Sequence, residues 1–349
     1  MQPPPHSSDL PLHHQLAVLW AADPGLTLPE AAARLQRPEA VLMAARVGAD
    51  VVRLDTDWAA LLRGLTGLGT LTVHVDCRMG LHRKVVALKD IGAADITAIC
   101  RGEQTELRLL LSRWAAGYAV CTPGVPASPV GLHLYDRHGD SALRVLLSAG
   151  SDRAAFARLV AKHRAADQRA TPPSEPLPTP PVQQQPAVGA EQLRAEWQAL
   201  RDARDFFRLL QRHGLSRAQC YRLVGDSFAE QISVAGVIEA LERCSAEAIP
   251  LSLAVGNRAA IHVHQGVIEC ISRVGAVCAI TDPGHTLLLH LDRIDSAWVV
   301  HKTGLEGPQT TVELLSPQGD VVGTIRPAAL SDWRWRRLTA HAALRHPVG

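Results

Sequence analysis

A chain of 349 residues has room for roughly two domains at about 150 residues each. With 47% hydrophobic and 20% charged residues it can bury a sizeable core and is not disordered throughout. The near balance of 36 Lys and Arg against 34 Asp and Glu, with only 4% aromatics, argues against a nucleic-acid binder that works by charge and base stacking.

Residues 1–14, MQPPPHSSDLPLHH, are expected to be a disordered tail in which His13 and His14 have no role. The tail has no Lys or Arg, so the short apolar run Gln15–Ala22 does not read as a secretory signal. Helical periodicity follows over Pro29–Leu42 and Trp58–Leu65. Strand-like runs come next at Thr70–Val75 and Val85–Ala87, then a strand leading to Trp114 in LRLLLSRWAAGYAV. The first half, 15–165, ends on a hairpin signal at Tyr135–Leu147 with Gly139-Asp140 at its turn. Between residues 166 and 190 a run with seven prolines from Pro172 to Pro186 is expected to be an extended linker, because each proline removes a backbone donor.

The second half, 191–345, repeats the series. Helical periodicity covers Ala190–Arg212 and Arg217–Leu223, and strands are expected at Leu251–Val255 and Ala260–Ile268. A strand then leads to Trp298 in LHLDRIDSAWVVH, and a hairpin at Leu314–Arg326 turns at Gly319-Asp320. Even the marks after the helices match, Arg46-Val-Gly-Ala-Asp50 against Arg222-Leu-Val-Gly-Asp226. One ordered series occurring twice implies a tandem duplication. The expected fold is α+β, in two repeats, each a large antiparallel sheet with a helical cap.

No P-loop, dinucleotide fingerprint, nucleophile elbow or H-E-x-x-H word occurs. The seven cysteines form no C-x-x-C pair, so reduced thiols and a cytoplasmic protein are expected. No apolar run approaches the ~20 residues that span a bilayer. His262 and His264 sit at i, i+2 on an expected strand and share a face. They are read as exposed strand residues, with a metal pair as the alternative. Trp333-Arg-Trp335-Arg-Arg337 is read as a C-terminal amphipathic helix that docks its tryptophans, in preference to a nucleic-acid contact.

At the level of longer words the chain resembles the bacterial cytoplasmic haemin-transport or haemin-degrading factors (HemS/HmuS/ChuS-like proteins). The matching words are Ala44–Leu54, Thr105–Val120, Ala195–Asp226, Pro250–Ile268 and Asp295–Gly304. The resemblance implies two similar lobes that take up one haem (b-type, with its iron) and pass it on or degrade it. It implies exchange with a haem importer ATPase or permease, or with a haem oxygenase. It also implies that Arg108 lies where the family has its distal arginine, and that Arg217 and Lys302 lie where cations face the propionates. Two carboxylates in an apolar pocket need such charged donors to offset their desolvation.

The family's axial histidine is replaced here by Arg204, in Arg201-Asp-Ala-Arg204-Asp-Phe206-Phe207. A guanidinium stays protonated and has no lone pair for iron. Near the end of the repeat, where the family has basic and aromatic groups, GTIRPAAL keeps only Arg326. Three accounts of Arg204 stay open. His290, in Leu289-His290-Leu291, takes the iron (His213 lies about 13 Å along the helix at ~1.5 Å per residue, too far for a direct exchange). Alternatively, Arg204 faces a propionate and the iron is weakly ligated. In the third account haem binding is lost and the chain is a diverged interaction or regulatory module. A haem carrier is the leading expectation, and a haem-opening enzyme is the second.

Overall fold

The computed structural model describes residues 10–77, 80–122, 129–177, 188–304, 307–328 and 333–345. The chain divides into two compact units. Unit 1 holds residues 1–76, 83–178 and 257–261; unit 2 holds 77–82, 179–256 and 262–349.

In unit 1, helices α1 (Leu12–Ala22), α2 (Leu28–Leu35) and α3 (Glu39–Ala44) precede the short strand β1 (Val51–Arg53) and α4 (Trp58–Arg63). The strands β2 (Gly69–Cys77), β3 (Gly80–Ala87), β4 (Asp90–Ala93), β5 (Ala98–Gly102), β6 (Thr105–Leu109), β7 (Trp114–Val120), β8 (Gly131–Asp136) and β9 (Ser141–Ser151) follow, then α5 (Arg153–Lys162). The first three residues of β3 belong to unit 2. Within the unit the antiparallel order is β1-β7-β8-β9-β2, and β4-β5-β6 form a meander.

Unit 2 repeats this plan element for element. It runs α6 (Ala190–Gln198), α7 (Ala203–His213), α8 (Arg217–Val224), β10 (Ala229–Ile232), α9 (Val234–Ala246), β11 (Leu251–Gly256) and β12 (Ala260–Gly266). The meander β13 (Ile271–Val274), β14 (Val277–Asp282), β15 (His285–His290) is followed by β16 (Ser296–Gly304), β17 (Gly307–Leu315), β18 (Val321–Pro327) and α10 (Trp333–Arg345). Its sheet order, β10-β16-β17-β18-β11, is that of unit 1 with the corresponding strands. The duplicated α+β plan inferred from the sequence is therefore present, as two large antiparallel sheets with helical caps.

Local chemistry explains where the elements differ from their expected spans. The single helix expected over Pro29–Leu42 is broken. Gln36 turns left-handed at φ 51°, and Pro38, lacking an N–H, stands as the residue before α3. The helix expected over Ala190–Arg212 breaks before Asp202, whose extended backbone and carboxylate cap α7 by accepting from Arg204 N at 2.7 Å and Asp205 N at 2.9 Å. Residues 12–14, expected in a disordered tail, form the first turn of α1; residues 1–9 lie outside the described residues. The two hairpin turns do match. Gly139 and Gly319 each adopt φ 80°, a left-handed conformation that glycine reaches at no steric cost.

Past α5 the chain stays fastened to unit 1. The Gln168 amide brackets Arg53, accepting from its N–H and donating to its carbonyl at 2.9 Å each, and Glu175 N donates to Arg137 O at 3.0 Å. The rest of the proline-rich run, 178–187, lies outside the described residues.

In unit 2 the helical cap packs Leu193, Trp197, Phe206 and Tyr221 on Trp298 and Val300 of β16. Phe206 alone, 2% exposed, contributes about 2–3 kcal/mol by burial. The C-terminal helix docks one of its two tryptophans: Trp335 is buried and donates to Thr310 O at 2.9 Å, whereas Trp333 is exposed under Arg337. Among the described residues no helix is long and apolar enough to cross a membrane.

Candidate functional site

Asp202 sets the start of α7, and the 3.6-residue period then sorts its side chains. Phe206, Leu209 and Leu210 face the core, while Arg204, Phe207 and Arg208 are exposed. Gly214, at φ 60°, ends the helix, and a capping box between Ser216 and Gln219 starts α8 at once. That tight corner puts Arg217 over both phenylalanines. Its guanidinium lies 5.0 Å from the Phe206 ring centre and 5.1 Å from that of Phe207, within cation–π range.

From the sheet below, Lys302 on β16 approaches the same ring, with Nζ 5.0 Å from the Phe206 centre. Both cations converge on Glu313 of β17. Lys302 Nζ donates to Glu313 Oε1 at 2.6 Å, and Arg217 Nη1 lies 3.4 Å from Oε2. The Tyr221 hydroxyl donates to the same Oε2 at 2.6 Å. The Glu313 side chain is only 4% exposed. Burial by itself would raise its pKa. The Lys302 and Arg217 charges, with hydrogen bonds from Lys302 and Tyr221, outweigh that and hold it at about 2. Burial, reinforced by the adjacent Glu313 charge, pushes the Tyr221 phenol well above its usual range, so it remains a donor.

This arrangement binds a carboxylate: two cations and a phenol meet on one carboxyl group beside an aromatic pair. With Glu313 ionised, Arg217, Lys302 and Glu313 sum to one net positive charge, and Arg204 adds a second positive charge from the exposed face of α7.

Of the residues singled out from the sequence, the structure brings Arg217 and Lys302 together and places Arg204 on the helix that supplies their aromatic floor. The others stand apart. Arg108 is exposed on β6 of unit 1, paired with Glu106 at 2.6 Å. Arg326 is half-buried on β18, opposite Ser252 of β11. His290 ends β15 opposite Val277 and is half-buried. Among the described residues, no hydrogen bond or ion pair links His290 to Arg217, Lys302 or Glu313. His213 is engaged elsewhere, its Nε2 3.0 Å from Glu196 Oε2, tying α7 to α6.

Sequence reasoning missed Glu313 and Tyr221. The signal for Glu313 was present: an acid inside the apolar strand Thr311-Val-Glu313-Leu-Leu must find cationic partners or lose its charge. The reading of His262 and His264 as exposed is overturned, since they are 0% and 2% exposed. Their shared face is covered by the rings of His82 and His285.

Comparison with known proteins shows the family. The model of the haemin-degrading HemS.ChuX domain matches the chain twice, over residues 36–163 and 214–341. The hemin transport protein HmuS of Yersinia pestis is 27% identical over 311 residues, covering 88% of this chain and 89% of that protein. The crystal structure of apo-PhuS, a heme-binding protein from Pseudomonas aeruginosa, superposes with a TM-score of 0.89 at 29% identity, over 95% of this chain and 98% of that one. Its holo form gives a TM-score of 0.86 at 28% identity, over 96% and 98%. With the domain model matched in both halves and the same architecture repeated in each unit, the chain belongs to the haemin-degrading HemS.ChuX domain family.

Proposed function

We propose that the chain binds haem as cargo and carries it in the cytoplasm within haem uptake and utilisation. The observation that carries this reading is the convergence of Arg217 and Lys302 on a carboxylate beside Phe206 and Phe207. A haem propionate is the same chemical group, and a porphyrin edge is an apolar plate suited to the exposed Phe207 ring. The names of the relatives, hemin transport protein and heme-binding protein, support the same reading.

In this chain the carboxylate held by the two cations is its own. Glu313 occupies the donors that a propionate would need, so haem either shares Arg217 and Lys302 with it or displaces it. Both side chains keep an exposed margin, 15% and 18%, on which a second carboxylate can bind. Arg204, exposed on α7 three residues before Phe207, gives a further cation for a propionate, and it gives nothing to the iron.

That last point sets carrier against enzyme. Oxidative opening of haem draws on the cofactor's own chemistry, but the protein tunes it through an axial ligand. With arginine at position 204 and His213 held by Glu196 at the far end of the helix, the start of α7 supplies no such ligand, which favours carriage. His290 is the imidazole proposed in its place. Exchange with a haem importer's ATPase or permease on one side, and with a haem oxygenase on the other, follows from the carrier reading.

Titration of the purified full-length chain with haemin tests it. A Soret shift saturating at one equivalent is expected, weakened in Arg217→Met and Lys302→Met. A titration superimposable on free haemin at every ratio would sink the proposal.

A further inference from the structure

A second polar centre lies wholly within unit 2, apart from the Glu313 cluster and made of residues distant in sequence. His82, His262, His264 and His285 are each 2% exposed or less. They form two stacked pairs, His82 on His262 with ring centres 3.9 Å apart and His264 on His285 at 3.8 Å. The pairs join at one point, where His82 Nε2 lies 2.9 Å from His285 Nε2.

The hydrogens can be counted. His82 Nδ1 lies 3.1 Å from the carbonyl oxygen of His262, which only accepts, so Nδ1 carries the hydrogen. His285 Nδ1 lies 3.2 Å from Asp282 Oδ2, and a carboxylate oxygen likewise accepts. Each neutral imidazole has one N–H, and both are now spent. The two Nε2 atoms therefore point lone pairs at each other across 2.9 Å. Such a contact is stable only with a positive centre between them, a proton or a metal ion.

The surroundings are those of a metal centre. Metal-bound histidines characteristically donate the second ring N–H to a carboxylate or a backbone carbonyl, and here one of each is in place. The carboxylate is itself fixed. Asp282 Oδ1 accepts from Glu269 N at 2.8 Å and Cys270 N at 3.3 Å. Asp282 and His285 face each other across the β14–β15 turn Asp282-Pro283-Gly284-His285, where Gly284 takes φ 69°. Proline at the second position and a left-handed glycine at the third make a stiff turn that holds the pair in register. A ring nitrogen of His264 and one of His285 lie within 4.8 Å of each other and of the Asp282 carboxylate. A tetrahedral ion with metal–nitrogen bonds of about 2.0–2.1 Å needs its ligands roughly 3.3 Å apart. Exchanging a proton for such an ion therefore asks the two Nε2 atoms to separate by about 0.4 Å and the rings to turn until their lone pairs converge on the ion and no longer on each other.

We propose that unit 2 carries a buried site for a first-row divalent cation of the zinc type. His82 Nε2 and His285 Nε2 are its first two ligands, His264 is the third, and Asp282 orients His285. Imidazole nitrogen with no thiolate suits Zn2+, Co2+ or Ni2+ and is a poor match for Ca2+ or Mg2+. The site is independent of the haem proposal, because it uses none of the same residues.

The test uses full-length protein freed of haem and metal, titrated with Co2+ and followed by its visible ligand-field bands. One equivalent is expected to bind with bands of a low-coordinate nitrogen site, and Zn2+ is expected to displace it. His285→Ala should abolish the bands. Should that variant fail to fold by circular dichroism, Asp282→Asn, which keeps the ligands, is expected to weaken Co2+ about 10- to 100-fold. His13→Ala/His14→Ala should leave binding unchanged. Absence of tight uptake would mean that a proton alone fills the gap and would overturn the proposal. Uptake indifferent to both His285→Ala and Asp282→Asn would place the metal elsewhere and overturn it equally.

Discussion

Lys302 Nζ and Glu313 Oε1 lie 2.6 Å apart in the interior of unit 2, so a cation proposed to meet a haem propionate already holds a carboxylate of the chain itself. The same Glu313 engages Arg217 and Tyr221. Glu313 is thus a brace for the fold and, on the proposed function, a competitor for the cargo, and the two roles predict opposite effects of one substitution.

Glu313→Gln keeps the shape and removes the charge. Haemin affinity is expected to rise roughly tenfold, about 1.4 kcal/mol, as Arg217 and Lys302 become available. Stability is expected to fall by about 2–4 kcal/mol, because two largely buried cations lose their counter-charge. Haemin titration and denaturant unfolding of the same preparation check both halves. Unchanged affinity would mean that the Glu313 cluster and the haem site are separate.

Arg204→His places an imidazole at the exposed start of α7. Because Arg204 is exposed and its side chain supports little of the core, the fold should change by less than about 0.5 kcal/mol. The ferric haem complex is expected to gain a nitrogen ligand, with a shifted Soret band and tighter binding. His290→Ala in the otherwise unaltered chain is the companion measurement. Loss of the ferric ligand signature there would assign the iron to His290, and an unchanged spectrum would leave the iron to solvent.

Acid should unfold the protein earlier than carboxylates alone would require. His133 is buried, and desolvation, with the Arg144 charge nearby, lowers it to about 3, while an unfolded histidine titrates near 6.5. A depressed histidine is neutral in the fold and charges on unfolding. Its contribution is complete above pH 6.5 and shrinks as pH falls toward 3, by about 2 kcal/mol at pH 5. Glu313 acts lower down: held at about 2 against an ordinary value of 4.5, its contribution is complete above pH 4.5 and is lost as pH falls toward 2. Denaturant midpoints at pH 7.5 and pH 5 test the first effect, and His133→Gln should flatten that difference.

A buried cation braces unit 1. Arg144 binds both Glu39 at 2.7 Å and Asp76 at 2.5 Å, with its side chain 11% exposed. Arg144→Met is expected to cost about 3–5 kcal/mol, because two carboxylates are left without their partner. Thermal unfolding of the variant checks this, and a change below about 1 kcal/mol would show that water replaces the guanidinium.

Much of the fold was legible because the duplication writes it twice. Gly139-Asp140 and Gly319-Asp320 mark the same turn at the same φ, and Trp114 and Trp298 sit on corresponding strands. Helix ends were legible only where a local residue sets them. Gln36 turning left-handed before Pro38 and the Asp202 cap divide runs whose apolar period continues across the break. The candidate site was half legible. Arg217 and Lys302 stood in matched words, but their partner Glu313 declared itself only as an acid in an apolar strand. The histidine centre was legible only as the shared face of His262 and His264, since His82 meets His262 and His285 across 180 and 203 residues of chain. Nothing in the local pattern of β12 says what covers its face.

The most direct measurement compares haemin with its dimethyl ester, which keeps the ring and the iron and removes both carboxylates. Haemin is expected to bind at least tenfold more tightly, and the difference should vanish in the Arg217→Met/Lys302→Met double variant. Equal affinity for the two in the unaltered chain would contradict the assignment of Arg217 and Lys302 as the groups that recognise the cargo.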